Sequence, residues 1–390
     1  MSEWKEYKIK ELGLVVTGKT PSSKFTDEFG DVMPFVTPTD YRNFRKWTAF
    51  AERSLSEKGI EKLRNKILSP SSVLVTCIGS DMGKVVMNKV PVITNQQINS
   101  IIPNQELVFP DFLYYKLVDN YETLRMHGQA GTAVPIVNKG DFEEINLPIP
   151  IDLEEQKSIA SILSSLDDKI DLLHRQNKTL ESLAETLFRQ WFVEETEEGW
   201  ETGTIEDEFD FTMGQSPPGS SYNEDGNGMV FFQGRTDFSF RFPEPRVYTT
   251  EPKRLAKKFD TLVSVRAPVG DMNMAMKECC LGRGVAAFRY KHNPSYHSYT
   301  YYKLRSLMAQ IKQFEDSGTV FGAISKDDFK KLENIVPPNS LIENFQVQVA
   351  PLDEKIFNNT MQIKTLTKLH DMLLPKLISG EVRVEMPQNY

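Results

Sequence analysis

Asn95-Gln96-Gln97 sets three amide side chains in a row beside the apolar Ile98. Each amide carries a donor and an acceptor side by side, which matches the major-groove edge of adenine. Further along, Arg235, Arg241, Arg246, Arg266 and Arg283 stand among aromatic residues and glycines, where a forked guanidinium suits guanine edges or phosphates. Lys253-Arg254 and Lys257-Lys258 could face a phosphate backbone or form an ordinary solvated face. Bond-making chemistry is poorly represented. The stretch Gly79-Ser80-Asp81-Met82-Gly83-Lys84-Val85 has one residue too few between its glycines for a phosphate cradle. It also has valine where the metal-binding hydroxyl belongs, so it reads as a tight turn between strands. Gly214-Gln215-Ser216-Pro217-Pro218-Gly219 matches a nucleophile elbow only in outline, and its counterpart Gly18-Lys19-Thr20-Pro21 has no serine at the key place. Three cysteines (Cys77, Cys279, Cys280) and five scattered histidines give neither a disulfide framework nor metal-ligand spacing. The expectation is a binding protein with no catalytic residues, no cofactor and no metal.

The elements that position these residues begin with the stretch 153–195. Ile159, Leu163, Leu166, Ile170, Leu173, Leu180, Ala184, Leu187 and Trp191 recur in alternating fours and threes, interrupted at Asn177. That is a heptad seam. A second copy spans 345–377, with Val349, Leu352, Ile356, Ile363, Leu366, Leu373 and Leu377. Leu166-Asp167-Asp168-Lys169-Ile170 matches Leu352-Asp353-Glu354-Lys355-Ile356 at an offset of 186. Two such helices in one chain predict an antiparallel coiled coil with a domain at each end, its register pinned by the polar seam residues Asn177 and Asn359. Ser165 with Asp168 resembles a capping box, and Pro351 fits a first helical turn. Each segment is therefore expected to be a short helix followed by a long one of about 40 Å.

The repeat extends beyond the helices. Trp4, Ile9, Gly18, Thr20 and Pro21 recur as Trp200, Ile205, Gly214, Ser216 and Pro217 at an offset of 196. Gly131-Thr132, Val137, Lys139, Asp141 and Phe142 recur as Gly318-Thr319, Ile324, Lys326, Asp328 and Phe329 at an offset of 187. A tandem duplication with diverged middles accounts for the drift. Within the copies, strands are expected at 72–78, 85–93, 261–265 and 285–288, and helices at 55–66, 112–124 and 299–314. The proline-rich exits Leu147-Pro148-Ile149-Pro150 and Val336-Pro337-Pro338 end each domain. The fold class is mixed α/β, with a pseudo-twofold internal repeat. Expected boundaries are a first domain over 1–150, a helical spacer over 151–196, a second domain over 197–337, a second spacer over 338–380 and a tail over 381–390.

A net charge of −8 argues against a nucleic-acid partner until it is divided along the chain. Residues 1–150 hold 18 basic and 18 acidic side chains, and 201–335 hold 18 and 18, whereas 151–200 hold 5 and 12. The excess acid lies on the first heptad segment, so both domains are free to carry a basic face. The charged start MSEWKEYKIKEL and the absence of any run of eighteen apolar residues lead to the expectation of a cytoplasmic protein without membrane contact.

In combination, these blocks resemble the specificity subunits of type I restriction and modification systems. The resemblance rests on Gly18-Lys19-Thr20-Pro21-Ser22, Asn95-Gln96-Gln97, Gly131-Thr132 before Ile136, and Leu147-Pro148-Ile149-Pro150 running into Leu153-Glu154-Glu155-Gln156. The second half carries Cys280-Leu281-Gly282-Arg283-Gly284 and Leu341-Ile342-Glu343-Asn344 in the corresponding places. Such a resemblance implies two target-recognition domains, each binding one half of a split double-stranded DNA site. It also implies two long helices that separate the domains and dock modification subunits, two in number, with restriction subunits joining through the complex. Methyl transfer and cleavage would belong to those partners. The residues taken as DNA-contacting are Thr20, Ser22, Lys24, Asn95, Gln96, Gln97, Thr132, Lys139, Gln215, Ser216, Arg235, Arg266, Arg283, Thr319 and Lys326. The alternatives are a coiled-coil scaffold without sequence preference on DNA, or a DNA-modifying enzyme.

Overall fold

The computed structural model describes residues 3–22, 26–41, 46–48, 51–128, 135–196, 199–266, 268–316 and 322–384. It divides into two compact units, one formed by 1–174 with 360–390 and the other by 175–359. In the first unit, Trp4–Lys8 pairs antiparallel with Asn146–Pro150 and closes the domain on itself. A five-stranded sheet follows, with Ile98–Pro103 between Gly13–Thr17 and Val73–Thr76, continued by Val85–Asn88 and Trp47–Thr48. Beside it, a small four-stranded sheet is built around Met33–Val36 and Arg53–Leu55. Val73, Val75 and Ile101 face the helix Pro110–Asp119 through Phe112, Leu113 and Leu117. All are fully buried, which at about 25 cal/mol per Å² of apolar surface is the main stabilising term.

The second unit repeats this plan. Glu201–Thr204 pairs with Glu333–Val336, and Phe209–Met213, Val285–Tyr290, Thr261–Ser264 and Met272–Met274 form a four-stranded sheet in that order. A five-stranded sheet around Met229–Phe232 stands beside it. Equivalent backbone bonds recur: Ile9 donates to the Ile145 carbonyl at 3.0 Å, and Ile205 to Leu332 at 3.1 Å. The core here is richer in rings: Tyr290 packs against both Phe209 and Tyr299, Tyr299 reaches Phe345, and Phe288 stacks on Phe211.

Several elements are shorter or more divided than expected. The predicted helix 112–124 is two, Pro110–Asp119 and Tyr121–Gly128, parted at Asn120, whose side-chain amide donates to the Lys116 carbonyl at 2.7 Å. The helix at 299–314 is likewise His297–Ser306 and Met308–Asp316. The strand at 85–93 is Val85–Asn88 and Ile93–Thr94, in different sheets.

The heptad segments are longer than expected. Leu153–Arg189 is one helix of 37 residues, ending in a π-helical turn at Gln190–Glu194, and Asn339–Ile378 is another of 40. By rise they are roughly 55 and 60 Å long. The breaks expected at Ser165 and Pro351 are absent. The Ser165 hydroxyl donates back to the Ile162 carbonyl at 2.7 Å inside the helix. Pro351 removes the donor for the Val347 carbonyl, but Val347 is 69% exposed, so water can satisfy that oxygen.

Within each unit the two helices run antiparallel. In the first, Arg383 Nη1 donates to Glu155 Oε1 at 2.8 Å and His370 Nε2 lies 3.6 Å from Asp167 Oδ1, while Ile159, Leu163, Leu374 and Leu377 share the core. In the second, Asn359 Nδ2 donates to Asn177 Oδ1 at 2.9 Å, which places the two expected polar seam residues against each other. Phe188, Trp191 and Phe192 meet Phe345 in the same unit. The helices also pack on their units, so pairing and docking are satisfied together.

Candidate nucleic-acid interface

Each unit presents a rim assembled from the same backbone hydrogen bonds. In the first, Gly18 donates to the Ile98 carbonyl at 3.2 Å, Lys19 to Thr94 at 2.9 Å, Cys77 to Gln97 at 2.7 Å, and Val137 to Cys77 at 2.9 Å. In the second, Gly214 donates to Val285 at 2.9 Å, Gln215 to Leu281 at 2.9 Å, Val265 to Gly284 at 2.9 Å, and Ile324 to Val265 at 3.1 Å. The match makes Gln96 the counterpart of Arg283, and Ile78 that of Arg266. Both rims require glycine where strands meet a neighbouring backbone: a Cβ on Gly18 would lie 2.2 Å from the Asn95 carbonyl, and one on Gly214 2.1 Å from that of Gly282.

The side chains on the two rims differ. On the first, Thr20 donates to Oε1 of the exposed Gln96 at 2.7 Å. Asn95 is buried and its Nδ2 donates to Gln97 Oε1 at 2.8 Å, so it shapes the loop and holds Gln97. On the second, Arg283 donates its backbone N–H to Ser216 Oγ at 3.3 Å, and its side chain is exposed on a loop pinned between Gly282 and Gly284. Arg266 is exposed at a bridge to Ala323. Neither guanidinium has an ion pair among the described residues. Arg235 is exposed and its Nε pairs with Asp271 Oδ2 at 2.5 Å. Gln215 is exposed beside Ser216.

Ser22 is exposed just beyond the first rim. Lys139 and Lys326 begin the short helices Lys139–Glu143 and Lys326–Lys331, each capped by the preceding residue, Asn138 or Ser325. Lys24, Thr132 and Thr319 lie outside the described residues. Of the five arginines grouped by type, Arg241 does not belong to the rim. It is 1% exposed and bonds Asp353 and Tyr302. Arg246 pairs with Asp237 at 2.7 Å. The basic cluster at 253–258 is exposed, with Lys258 lying over Phe259 and Phe357.

Thr37 and Gln233 flank the rims and carry no motif that would have revealed them. Thr37 receives its place from Asp40, whose Oδ2 accepts its N–H at 2.7 Å, and Gln233 from Asp237 at 2.8 Å. Gly79-Ser80-Asp81-Met82-Gly83-Lys84 is the expected turn between strands, with Gly79 and Gly83 both at φ +93°. All three cysteines are free and buried, and burial pushes the Cys77 and Cys279 thiols up to about 12. Among the described residues no group of His, Cys, Asp and Glu side chains could hold a metal ion, and no helix is long and apolar enough to cross a membrane.

Two repeated α/β halves joined to paired helices, each with a glycine-pinned rim, define a duplicated binding module. The chain matches the family model for the type I restriction modification DNA specificity domain over residues 1–182 and again over 197–368, and it belongs to that family. The type I restriction enzyme MjaIX specificity subunit of Methanocaldococcus jannaschii is 28% identical to it, covering 98% of this chain and 94% of the relative. The HindI specificity subunit of Haemophilus influenzae is 22% identical, covering 98% and 100%. The crystal structure of a type I restriction-modification S subunit from M. genitalium shares the fold, with a TM-score of 0.65 and 18% identity over 99% of this chain and 97% of that one.

Proposed function

We propose that this chain is the DNA sequence-recognition subunit of a type I restriction-modification complex. The domains 1–150 and 197–337 each read one half of a bipartite double-stranded site. The spacers 151–196 and 338–380 set the distance between half-sites and dock two modification subunits, through which restriction subunits join, leaving 381–390 as a tail. The carrying observation is the pair of rims with matching backbone bonds and different side chains: one frame repeated, with its reading residues changed. Rigid backbone with variable exposed donors is what base readout requires, because a bidentate contact discriminates only when its donor is held in place.

The contacting residues on this reading are Thr20, Ser22, Gln96 and Gln97 in the first domain and Gln215, Ser216, Arg235, Arg266 and Arg283 in the second. Asn95 holds its loop, and Lys139 and Lys326 serve phosphates. Lys24, Thr132 and Thr319 are retained from sequence alone. The chain itself performs no catalysis and acts in the cytoplasm. Co-expression with its modification subunit, followed by mapping of methylated adenines, should reveal one motif of two short specified halves around an unspecified spacer. Methylation with no sequence preference would contradict the reading.

A further inference from the structure

Arg283 stands between Gly282 and Gly284, and both glycines lie against the backbone of Gln233. A Cβ on Gly282 would be 3.0 Å from the Gln233 Cα, and one on Gly284 2.3 Å from the Gln233 carbonyl oxygen. Strand order produces this approach. Met229–Phe232 runs parallel to Cys279–Leu281, with Phe232 opposite Leu281, and Gly282 donates to the Phe232 carbonyl at 2.8 Å. Gln233 therefore leaves its strand beside Arg283. Across the same strand, Leu281 donates to the Arg254 carbonyl at 2.8 Å, which brings Lys253 and Arg254 to this end of the sheet. Both are exposed, and among the described residues neither has an ion pair.

A buried carboxylate holds Gln233 in place. Asp237 Oδ2 accepts the Gln233 N–H at 2.8 Å, while Oδ1 accepts Arg246 Nε at 2.9 Å and Nη2 at 2.7 Å. The first unit repeats the clamp in Asp40, whose Oδ2 accepts the Thr37 N–H at 2.7 Å and whose Oδ1 accepts the Glu52 N–H at 2.9 Å. There the Thr37 hydroxyl also donates to Asp40 Oδ2, at 2.9 Å. In the second unit the clamp takes only the Gln233 backbone. Its side chain is exposed and has no hydrogen-bond partner among the described residues. An amide left free on a fixed backbone, beside an unpaired guanidinium and at a basic sheet end, suits base readout in the major groove. We propose that Gln233 reads an adenine next to the base pair contacted by Arg283, with Asp237 as its positioning residue. The inference deepens the function proposed above and rests on it. Neighbouring strands lie about 4.8 Å apart and base pairs rise about 3.4 Å, so the two side chains serve base pairs about one or two steps apart.

The test co-expresses the full chain with its modification subunit and scores methylation of a DNA library in which each base pair of the site is varied. Gln233 is exposed, so Gln233→Ala leaves the core untouched. It should lose at least about tenfold discrimination at one A·T pair, with the other positions and the melting temperature unchanged. Arg283→Ala should relax a different pair of the same half-site, about one or two steps away. Asp237→Asn keeps the side-chain shape but weakens its hold on Gln233, and should relax the same A·T pair as Gln233→Ala. A purely structural carboxylate would instead lower methylation evenly on every sequence, and that result would remove Asp237 from the proposal. Unchanged base preferences in Gln233→Ala, or a loss spread evenly over all sequences, would overturn the role of Gln233. Methylation without sequence preference by the unaltered complex would defeat the functional reading as well, whereas a selective complex with a silent Gln233→Ala defeats this inference alone.

Discussion

Gln96 and Arg283 occupy one backbone position in two copies of a rim, and that single exchange puts a guanidinium in the second where the first has an amide. Arg283→Ala should cost about 1–3 kcal/mol of discrimination at one base pair of one half-site. Competition binding with site variants checks this, and an equal loss on every sequence would mark Arg283 as a phosphate contact instead. Arg241 shows the limit of reading by residue type. Nothing near it in sequence separates it from Arg266, yet its partners Asp353 and Glu181 lie on the helices and draw it inside. The cysteines were legible from their number and spacing. With Cys77 and Cys279 pushed up to about 12 by burial, the folded chain has almost no thiolate at those positions at about pH 8. Iodoacetamide should leave them unlabelled until denaturant is added, and rapid native labelling of either would contradict their burial.

Among the elements, the heptad seams were the most legible, because burial on one helical face enforces their period: Ile159, Leu163, Leu173, Val349 and Ile356 are all buried. Their continuity was not, since Pro351 is tolerated only because Val347 faces water, a fact of tertiary placement. The Asn177–Asn359 pair predicts strong coupling. Asn359→Leu alone should destabilise the chain by about 1–3 kcal/mol by stranding the other buried amide, whereas changing both to leucine should recover most of the loss. Denaturant melts of the single and double variants measure the cycle, and additive losses would refute pairing. Arg241→Met should be worse, about 3–5 kcal/mol, because Asp353 is left buried without its cation and Glu181 keeps only Arg305. Burial already raises Glu181 above the usual carboxylate range. Once the arginine is gone that rise should grow, so the variant's deficit should shrink as pH falls through the raised value and the carboxyl protonates. A deficit independent of pH would count against the ionic account.

For the whole molecule, the duplication was legible because matching blocks recur at drifting offsets, and the structure gives those blocks matching roles. Trp4–Lys8 and Glu201–Thr204 pair the ends of their domains, and Gly18 and Gly214 both sit against carbonyls. The middles were not legible, and neither were Thr37 and Gln233, because the sequence cannot show which loops a sheet brings to one rim. On the proposed function, two equivalent frames with different exposed side chains would make each half of the target an independent property of one domain. The most direct measurement is therefore to replace residues 201–335 with those of a relative, co-express the hybrid with the modification subunit, and map the methylated sequence. The account predicts that one half of the motif changes while the other half and the spacer stay as they were. A change in both halves, or in neither, would contradict it.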